Sequence, residues 1–214
     1  MIRRLQATTG ALFAVFVAAH LLNTWLAAAG PGAYAAVQRA LSRIYQTPLV
    51  EWLMLVALLV HVGCAVVRWR TERRGPLPWR ARLHRYAGIF LMIVIGGHVT
   101  AVRLLPGHYG FQPGFDGVAF SLDLLPGFFF PYYALLGLAG AYHALNGLAV
   151  AAARFGWRRR LPAAWLHAGA AAAGVLTVAA LLAFGGVLFE IADPWQSDFA
   201  RLYLRLVNPG QTDG

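Results

Sequence analysis

Long uncharged stretches alternate with short arginine-containing segments along the 214-residue chain. Five stretches have about the 20 apolar residues that a helix needs to cross the hydrocarbon core of a bilayer. They lie near residues 6–29, 48–67, 86–105, 130–153 and 162–189. The pattern predicts an all-α integral membrane bundle of five transmembrane helices in a domain of residues 1–190, followed by a C-terminal tail of residues 191–214.

The composition agrees with this pattern. Apolar residues make up 59% of the chain and charged residues 12%, with a mean hydropathy of +0.59, which is more apolar than a soluble domain. The net charge of +10 comes from eighteen arginines that mostly flank the apolar stretches, which indicates membrane orientation and not nucleic-acid binding. The one cysteine, Cys64, excludes an intrachain disulfide, a Cys-x-x-Cys metal site and the attachment motif of c-type haem.

Arginine placement predicts the orientation of the helices. The segments between spans two and three and between spans four and five are arginine-rich, whereas the opposite side carries scattered arginines. Because cytoplasmic loops carry the excess of basic residues, we expect the N-terminus in the cytoplasm and the C-terminus outside. The arginines of the two rich segments are Arg68, Arg70, Arg73, Arg74, Arg80, Arg82, Arg85, Arg154, Arg158, Arg159 and Arg160.

The longest predicted loop, near residues 106–130, lies on the outer side and is rich in aromatic residues. Loops of this length without structure of their own are uncommon in compact domains. We expect a lid that lies on the membrane surface, where aromatic side chains are stable. The alternative is the mouth of a site for a lipid-soluble substrate.

Four histidines, one in each of the first four spans, are the strongest functional signal. An ionisable group inside a bilayer is costly, so each needs a partner or a function. Counted from the nearest cytoplasmic arginine at about 1.5 Å per residue, His20 and His98 lie roughly 24 and 20 Å deep, and His143 and His61 roughly 16 and 10 Å. The depths give an outer pair, His20 with His98, and an inner pair, His61 with His143.

Two histidines at one depth suit a b-type haem, because its iron takes one axial imidazole on each face. Residues three and four positions after each histidine share its helical face, and nearly all are small, which leaves room for a flat macrocycle. For a single position, a structural hydrogen bond or close helix packing is the alternative. A zinc or copper site would draw its ligands to one point. The flanking residues are Asn23, Thr24, Cys64, Ala65, Ala101, Val102, Asn146 and Gly147.

The remaining histidines carry a weaker signal. His84 lies beside Arg82 and Arg85, and we expect its side chain to be interfacial and solvated. His167 falls near the cytoplasmic end of the fifth span, so we expect that span to pack outside the haem bundle. His108 lies in the aromatic loop.

The segments around the four histidines resemble the cytochrome b membrane-anchor subunit of the succinate dehydrogenase/fumarate reductase family, in its single-chain, five-helix, two-haem branch. The likeness covers about residues 1–190 and rests mainly on the four-histidine register. The resembling segments are His-Leu-Leu-Asn-Thr-Trp from His20, Glu-Trp-Leu-Met-Leu-Val-Ala-Leu-Leu-Val-His from Glu51, Leu-His-Arg-Tyr-Ala-Gly from Leu83, and Tyr-His-Ala-Leu-Asn-Gly from Tyr142.

The resemblance implies two haem b cofactors. His20 and His98 would be the axial ligands of the distal haem, and His61 and His143 those of the proximal haem. An iron–sulfur subunit and a flavoprotein subunit would dock on the cytoplasmic face, in a complex that can form higher oligomers. A quinone, either menaquinone or ubiquinone, would exchange electrons within the membrane lipid.

Two further sets of residues follow from the same resemblance. Arginine pairs with carboxylates through two parallel hydrogen bonds, so Arg82 and Arg85 are candidates for haem propionates, with topology-setting charge as an equal explanation. A quinone site needs an apolar slot with a proton donor or acceptor at its head. The candidates are Tyr45, Gln46 and Glu51 on the outer side and His84, Arg85 and Tyr86 on the inner side.

We therefore expect a multi-pass subunit of the bacterial inner membrane that carries electrons between an iron–sulfur partner and the quinone pool, in a succinate:quinone or quinol:fumarate oxidoreductase. Dicarboxylate chemistry would belong to other subunits, because the chain has no flavin, nucleotide or nucleophile–base motif and offers no catalytic residue for it. One alternative is the dihaem anchor of a different quinone-linked dehydrogenase. Another, from a different class, is a four-histidine transition-metal transporter.

Overall fold

The computed structural model describes residues 1–72, 75–156 and 162–208. These three ranges form α-helices joined by short turns, and none of them contains a strand. The α-helices of the described residues are α1 Ile2–Trp25, α2 Pro31–Tyr45, α3 Pro48–Thr71, α4 Trp79–Val99, α5 Leu105–Tyr109, α6 Phe115–Leu124, α7 Pro126–Arg154, α8 Ala163–Phe184 and α9 Asp198–Val207.

Among the described residues, five helices are long and apolar enough to cross a membrane, which confirms the prediction of an all-α chain with five candidate spans. Two begin with a proline at the first helical turn, at Pro48 and Pro126, where the missing N–H leaves no hydrogen bond unmade. The third extends beyond its predicted end, because a π-turn at Thr100–Leu104 continues α4 into α5. The spans are Ile2–Ala29, Pro48–Thr71, Trp79–Tyr109, Pro126–Arg154 and Ala164–Phe184.

Helices α1 and α7 form the centre of the bundle. Helix α1 packs against α3, α7 and α8, and α7 also packs against α4 and α8. The helices that carry the four histidines thus form a four-helix bundle in which α1 lies opposite α4 and α3 lies opposite α7. Helix α8 packs on the outside of this bundle, where its Thr177 accepts a hydrogen bond of 3.1 Å from Trp25 Nε1.

Close approach of α7 and α8 depends on a glycine. A Cβ placed on Gly137 would lie 2.8 Å from Thr177 Cγ2, which is closer than ordinary van der Waals contact. Small residues at helix interfaces are the usual means of bringing membrane helices together. Leu21, Ala141 and Ala173 are buried at the same junction of α1, α7 and α8.

One end of the bundle, which we call the capped end, is covered by α2, α6 and α9. Helix α6 packs against α7, α8, α9 and α2, and its Leu122 lies in a core cluster with Tyr34 and Phe184. The aromatic loop of the sequence is therefore largely helical, because its apolar side chains are buried against the ends of α7 and α8. The segment thus covers the capped end of the bundle, and its position on a membrane surface stays a prediction.

The chain after residue 190 folds onto this cap. Helix α9 begins at an N-cap where Ser197 Oγ accepts a hydrogen bond of 3.1 Å from the Ala200 amide. Trp195 Nε1 donates to Asp123 Oδ2 of α6 at 2.7 Å. A Cβ placed on Gly117 would lie 2.5 Å from Phe199, so this glycine lets α9 approach α6. The tail is an amphipathic helix of the cap, up to residue 208.

The opposite end of the bundle, which we call the arginine end, is where α1 and α4 begin and α3 and α7 end. Arg3, Arg68, Arg80 and Arg154 lie there. The described arginines of the two arginine-rich segments thus lie at this end, whereas Arg39, Arg43, Arg103, Arg201 and Arg205 lie toward the capped end. The orientation of the arginine end in a membrane stays a prediction. Among the arginines used for that prediction, Arg73, Arg74, Arg158, Arg159 and Arg160 lie outside the described residues.

Candidate functional site

A cavity of about 2250 Å³ runs between α1, α3, α4 and α7 from one end of the bundle to the other. A single ligand pocket usually has roughly 300–1,000 Å³, so this cavity has the volume for more than one large ligand. Its lining is mostly apolar. The four span histidines and His84 all line it.

The histidines face each other in two pairs across the cavity. The rings of His20 on α1 and His98 on α4 have centroids 6.1 Å apart. The rings of His61 on α3 and His143 on α7 have centroids 6.2 Å apart. Each pair joins helices that lie opposite each other in the bundle, and the two pairs are those suggested by depth in the sequence.

The spacing within each pair fits a metal ion held between two imidazoles. With a metal–nitrogen bond of about 2 Å on each side, the ring centroids of two opposed imidazoles lie about 6 Å apart. Direct hydrogen bonding between two rings would bring them closer, and unrelated core histidines have no reason to repeat one spacing. The donor set, two neutral imidazoles per position in an apolar cavity, fits the axial ligation of haem iron.

Backbone carbonyls orient both rings of the inner pair. His61 Nδ1 lies 3.0 Å from the carbonyl oxygen of Gln6, and His143 Nδ1 lies 3.1 Å from that of His84. Because a carbonyl oxygen only accepts, Nδ1 carries the proton in each ring and donates it. The lone pair of Nε2 is then free for a metal, which is the arrangement that ligating histidines usually show.

A glycine makes each of these contacts possible. A Cβ placed on Gly10 would lie 2.6 Å from His61 Cε1, and one placed on Gly88 would lie 2.8 Å from His143 Cε1. Each glycine is four residues after the residue whose carbonyl accepts the hydrogen bond. The carbonyl and the space beside the glycine therefore lie on the same face of the helix. The two halves of the inner site therefore have the same local design.

Sequence reasoning missed these glycines because it searched the helix that carries each histidine and not the helix opposite. Six of the eight flanking residues do line the cavity, and Asn23 and Cys64 are buried elsewhere. Asn23 donates instead to Gln38 Oε1 at 2.6 Å. The sequence did contain one indication of these contacts: in α1 and in α4 a glycine follows a polar residue by four positions, Gly10 after Gln6 and Gly88 after His84.

The arginine end of the cavity is strongly cationic. Arg68 Nη1 donates to Gln6 Oε1 at 2.6 Å, and the guanidinium groups of Arg68 and Arg3 each bind Glu72 at 2.9 Å. Hydrogen bonds from Arg68 and then Arg3 lower the pKa of Glu72 to about 2, so this carboxylate is charged at neutral pH. The cavity is lined there by Arg3, Arg68, Arg80, Arg85 and Arg154.

Of the two arginines proposed to bind haem propionates, Arg85 lines the cavity and Arg82 does not. The buried Nη2 of Arg85 has no hydrogen-bond partner within residues 1–72, 75–156 and 162–208. Arg82 points away, with its guanidinium carbon 5.1 Å from the centre of the Trp79 ring. Tyr86, one turn after Arg82, is 60% exposed and lies on the same outward face. Arg80, which the sequence did not single out, lines the cavity and donates to Asn146 Oδ1.

His84 differs from the sequence expectation of a solvated side chain. Its ring stacks on that of His143 with centroids 4.2 Å apart and an interplanar angle of 2°, and its Nδ1 is buried. The reason is helical phase, because Arg80, His84 and Gly88 are four residues apart and share the face of α4 that meets α7. His108 contacts Tyr109, and His167 is exposed near the start of α8.

The outer quinone candidates lie together at the capped end. Tyr45, Gln46 and Glu51 line the cavity there, and the Phe16 ring lies between His20 and Tyr45, with centroids 5.9 and 5.3 Å away. Arg103 binds Glu51 through two hydrogen bonds, from Nε to Oε1 and from Nη2 to Oε2.

The π-turn explains this ion pair, which sequence reasoning did not foresee. It begins two residues after His98 and changes the phase of α4, a feature common at functional sites. Arg103 lies inside the turn and reaches the start of α3, where Glu51 lies. The signal available in the sequence was an isolated arginine and an isolated carboxylate at the same predicted depth.

Comparisons with protein-family models, with curated proteins and with solved structures gave no match. Within residues 1–72, 75–156 and 162–208, no group of three or more histidine, cysteine, aspartate or glutamate side chains is placed to hold a metal ion by itself.

Proposed function

We propose that this chain is the cytochrome b membrane-anchor subunit of a succinate:quinone or quinol:fumarate oxidoreductase, with two bis-histidine haem b groups. The observation that carries the proposal is the pair of opposed imidazoles at 6.1 Å and the second pair at 6.2 Å in one continuous apolar cavity. The family name itself rests on the sequence resemblance.

Each histidine has a defined role in this proposal. His20 and His98 hold the distal haem, and His61 and His143 hold the proximal haem. A bis-histidine haem b supplies a reversible one-electron carrier. The protein supplies the rest: the Gln6 and His84 carbonyls fix the ring orientation of the inner ligands, and the apolar lining keeps water away from the metal positions.

The arginine end is the docking face for the iron–sulfur and flavoprotein subunits. Clustered guanidinium groups suit an acidic partner surface and also stabilise carboxylates at the cavity end. With the positive end in the cytoplasm, the N-terminus is cytoplasmic and the capped end lies outside. Dicarboxylate chemistry then takes place on the partner subunits, in a complex of the bacterial inner membrane.

The capped end is the better quinone site of the two that the sequence left open. Glu51 is a carboxylate held in place by Arg103 at the edge of an apolar cavity, and Tyr45 and Gln46 add hydrogen-bonding groups beside it. A quinol must release protons as it is oxidised, and a positioned carboxylate is a suitable acceptor. At the arginine end, His84 is stacked on a ligand ring and Tyr86 points outward, so those candidates are poorly placed.

The Glu51→Gln variant tests this assignment. We expect the haem content to stay at the wild-type value and the rate of haem reduction by a short-chain quinol to fall by roughly tenfold or more, because glutamine keeps the shape but does not accept the proton. Stopped-flow absorbance in the haem bands measures the rate.

Asp123→Asn is the matched control. Asp123 also lies at the capped end, but it accepts from Trp195 on the cap. Its variant should reduce at the wild-type rate. An unchanged rate in the Glu51 variant would remove Glu51 from the quinone site.

The assignment to a dicarboxylate oxidoreductase has its own test. When the tagged chain is purified from its native membranes, we expect a flavoprotein and an iron–sulfur polypeptide to copurify and succinate to reduce the haems. If the complex carries haem that succinate does not reduce and fumarate does not reoxidise, the chain is the anchor of another quinone-linked dehydrogenase.

A further inference from the structure

Three buried side-chain atoms among the described residues have no hydrogen-bond partner: Asn23 Oδ1, His84 Nδ1 and Arg85 Nη2. Two of the three belong to adjacent residues that line the arginine end of the cavity. Buried polar groups in folded proteins almost always find a partner, so each exception needs an explanation. A guanidinium nitrogen only donates, which means that the missing partner of Arg85 is an acceptor.

Residue 84 is fixed relative to the inner pair by three contacts. Its carbonyl accepts from His143 Nδ1 at 3.1 Å, its ring stacks on His143 at 4.2 Å, and it lies opposite Gly147, where a Cβ would be 3.7 Å from His84 Cε1. A side chain held this firmly does not turn away to find water. Its unpartnered nitrogen therefore belongs to the site.

On the other side of the inner pair, the residue equivalent to His84 already has a hydrogen-bond partner for its side chain. Gln6 corresponds to His84, because its carbonyl orients His61 and Gly10 follows four residues later, as Gly88 follows His84. The side chain of Gln6 already accepts from Arg68 Nη1 at 2.6 Å. Nδ1 of the equivalent side chain on α4, His84, has no hydrogen-bond partner among the described residues, so the two halves differ at the position where a ligand group would bind.

Three other cationic groups that line this end of the cavity already have partners. Arg80 donates to Asn146, and Arg68 and Arg3 bind Glu72. Arg85 is left with a free donor nitrogen next to His84 in sequence. A carboxylate is the acceptor that suits both an imidazole N–H and a guanidinium group.

We propose that His84 is a binding residue of the inner haem, whose Nδ1–H donates a hydrogen bond to a propionate carboxylate, with Arg85 Nη2 as a second donor. This inference rests on the proposed function, because the carboxylate belongs to the haem held by His61 and His143. His84 thus has three roles at the inner site: its carbonyl accepts from His143, its ring stacks on His143, and its Nδ1–H donates to the propionate.

The His84→Phe variant removes the donor and keeps an aromatic ring against His143. A propionate that loses a hydrogen bond leaves more negative charge near the iron and favours the ferric state. We expect the reduction equilibrium of the inner haem to fall by roughly tenfold, which equals about 59 mV for a one-electron couple. Redox titration followed by the haem absorbance measures both haems, and the outer haem should keep its wild-type potential.

His84→Asn is the matched variant, because an asparagine amide nitrogen takes about the place of histidine Nδ1 but offers no ring to stack. We expect it to keep the inner potential near the wild-type value. If asparagine lowers the potential as much as phenylalanine does, restoring a donor at this position does not restore the potential, so the hydrogen bond does not control the haem and the inference is wrong. It is equally wrong if both variants lose the inner haem.

Reconstitution with the dimethyl ester of haem b provides the sharpest test. The ester removes the negative charge of the propionates and leaves weaker acceptors, so the difference in inner potential between wild type and His84→Phe should become much smaller. A difference as large as that measured with haem b would overturn the propionate contact while leaving two haems in the protein. Absence of haem from the wild-type protein would instead overturn the proposed function, which keeps the two failures distinct.

Discussion

Replacing His143 with alanine should lower the haem content of the purified protein from two haems per chain to one. The rings of His143 and His61 have centroids 6.2 Å apart and would share one metal position in the proposed function, whereas His20 and His98 form the other pair. Loss of one axial imidazole releases haem from that position because ligation and packing alone hold it. His61→Ala should give the same result, measured as pyridine haemochrome per mole of protein.

The pairing has an internal check. His20→Ala should also leave one haem, but the remaining haem should have the spectrum and potential that the His143 variant lost. His108→Ala is the matched control, since His108 packs against Tyr109 in α5 and does not line the cavity. Loss of both haems from each single variant would show that the histidines do not act as two separate pairs.

The second large effect is expected at Gly88, which the sequence alone did not identify as a site residue. Gly88→Val should remove the inner haem and leave the outer one. A Cβ at residue 88 would lie 2.8 Å from His143 Cε1, so the ring must move and its hydrogen bond to the His84 carbonyl must break. Haem stoichiometry and the low-temperature optical spectrum report which haem is lost.

Gly96→Val on the same helix is the matched control, because nothing lies within 4 Å of a Cβ at that position. It should keep both haems and the same thermal unfolding in detergent. Gly10→Val should behave like Gly88→Val, since a Cβ there would lie 2.6 Å from His61 Cε1. If Gly88→Val and Gly96→Val retain equal amounts of inner haem, the missing side chain at residue 88 is not needed to position the His143 ring.

The five spans could be predicted because hydropathy and length are local properties of the chain. The histidine pairs could also be predicted from local information, because the depth of a residue along a straight helix follows from the number of residues between it and the arginine at the helix end. Both arguments need no knowledge of which helices are neighbours. This is why the sequence suggested His20 with His98 and His61 with His143 before any helix packing was considered.

The parts that escaped prediction depend on tertiary contacts. Gly10 and Gly88 matter only because α1 meets α3 and α4 meets α7, which the sequence does not state. His84 was expected in solvent because Arg82 and Arg85 flank it, yet helical phase turns it toward α7. The Glu51–Arg103 pair depends on a π-turn, and no pattern of apolar residues announces one.

The cap illustrates the same limit on a larger scale. The aromatic loop and the tail form α6 and α9, which pack on each other, with Gly117 of α6 against Phe199 of α9 and with Trp195 donating to Asp123. Helix α6 also packs against α7 and α8, so the cap depends on contacts between segments that are distant in sequence. The lid that the sequence suggested is therefore a folded layer.

The dithionite-reduced minus oxidised optical spectrum of the protein, purified after haem-replete expression, tests the central claim most directly. Imidazoles opposed at about 6 Å in an apolar cavity should give sharp b-type bands and two haems per chain, with no stoichiometric zinc or copper. A colourless protein that binds zinc or copper instead would contradict the cytochrome assignment and favour a histidine-based metal transporter.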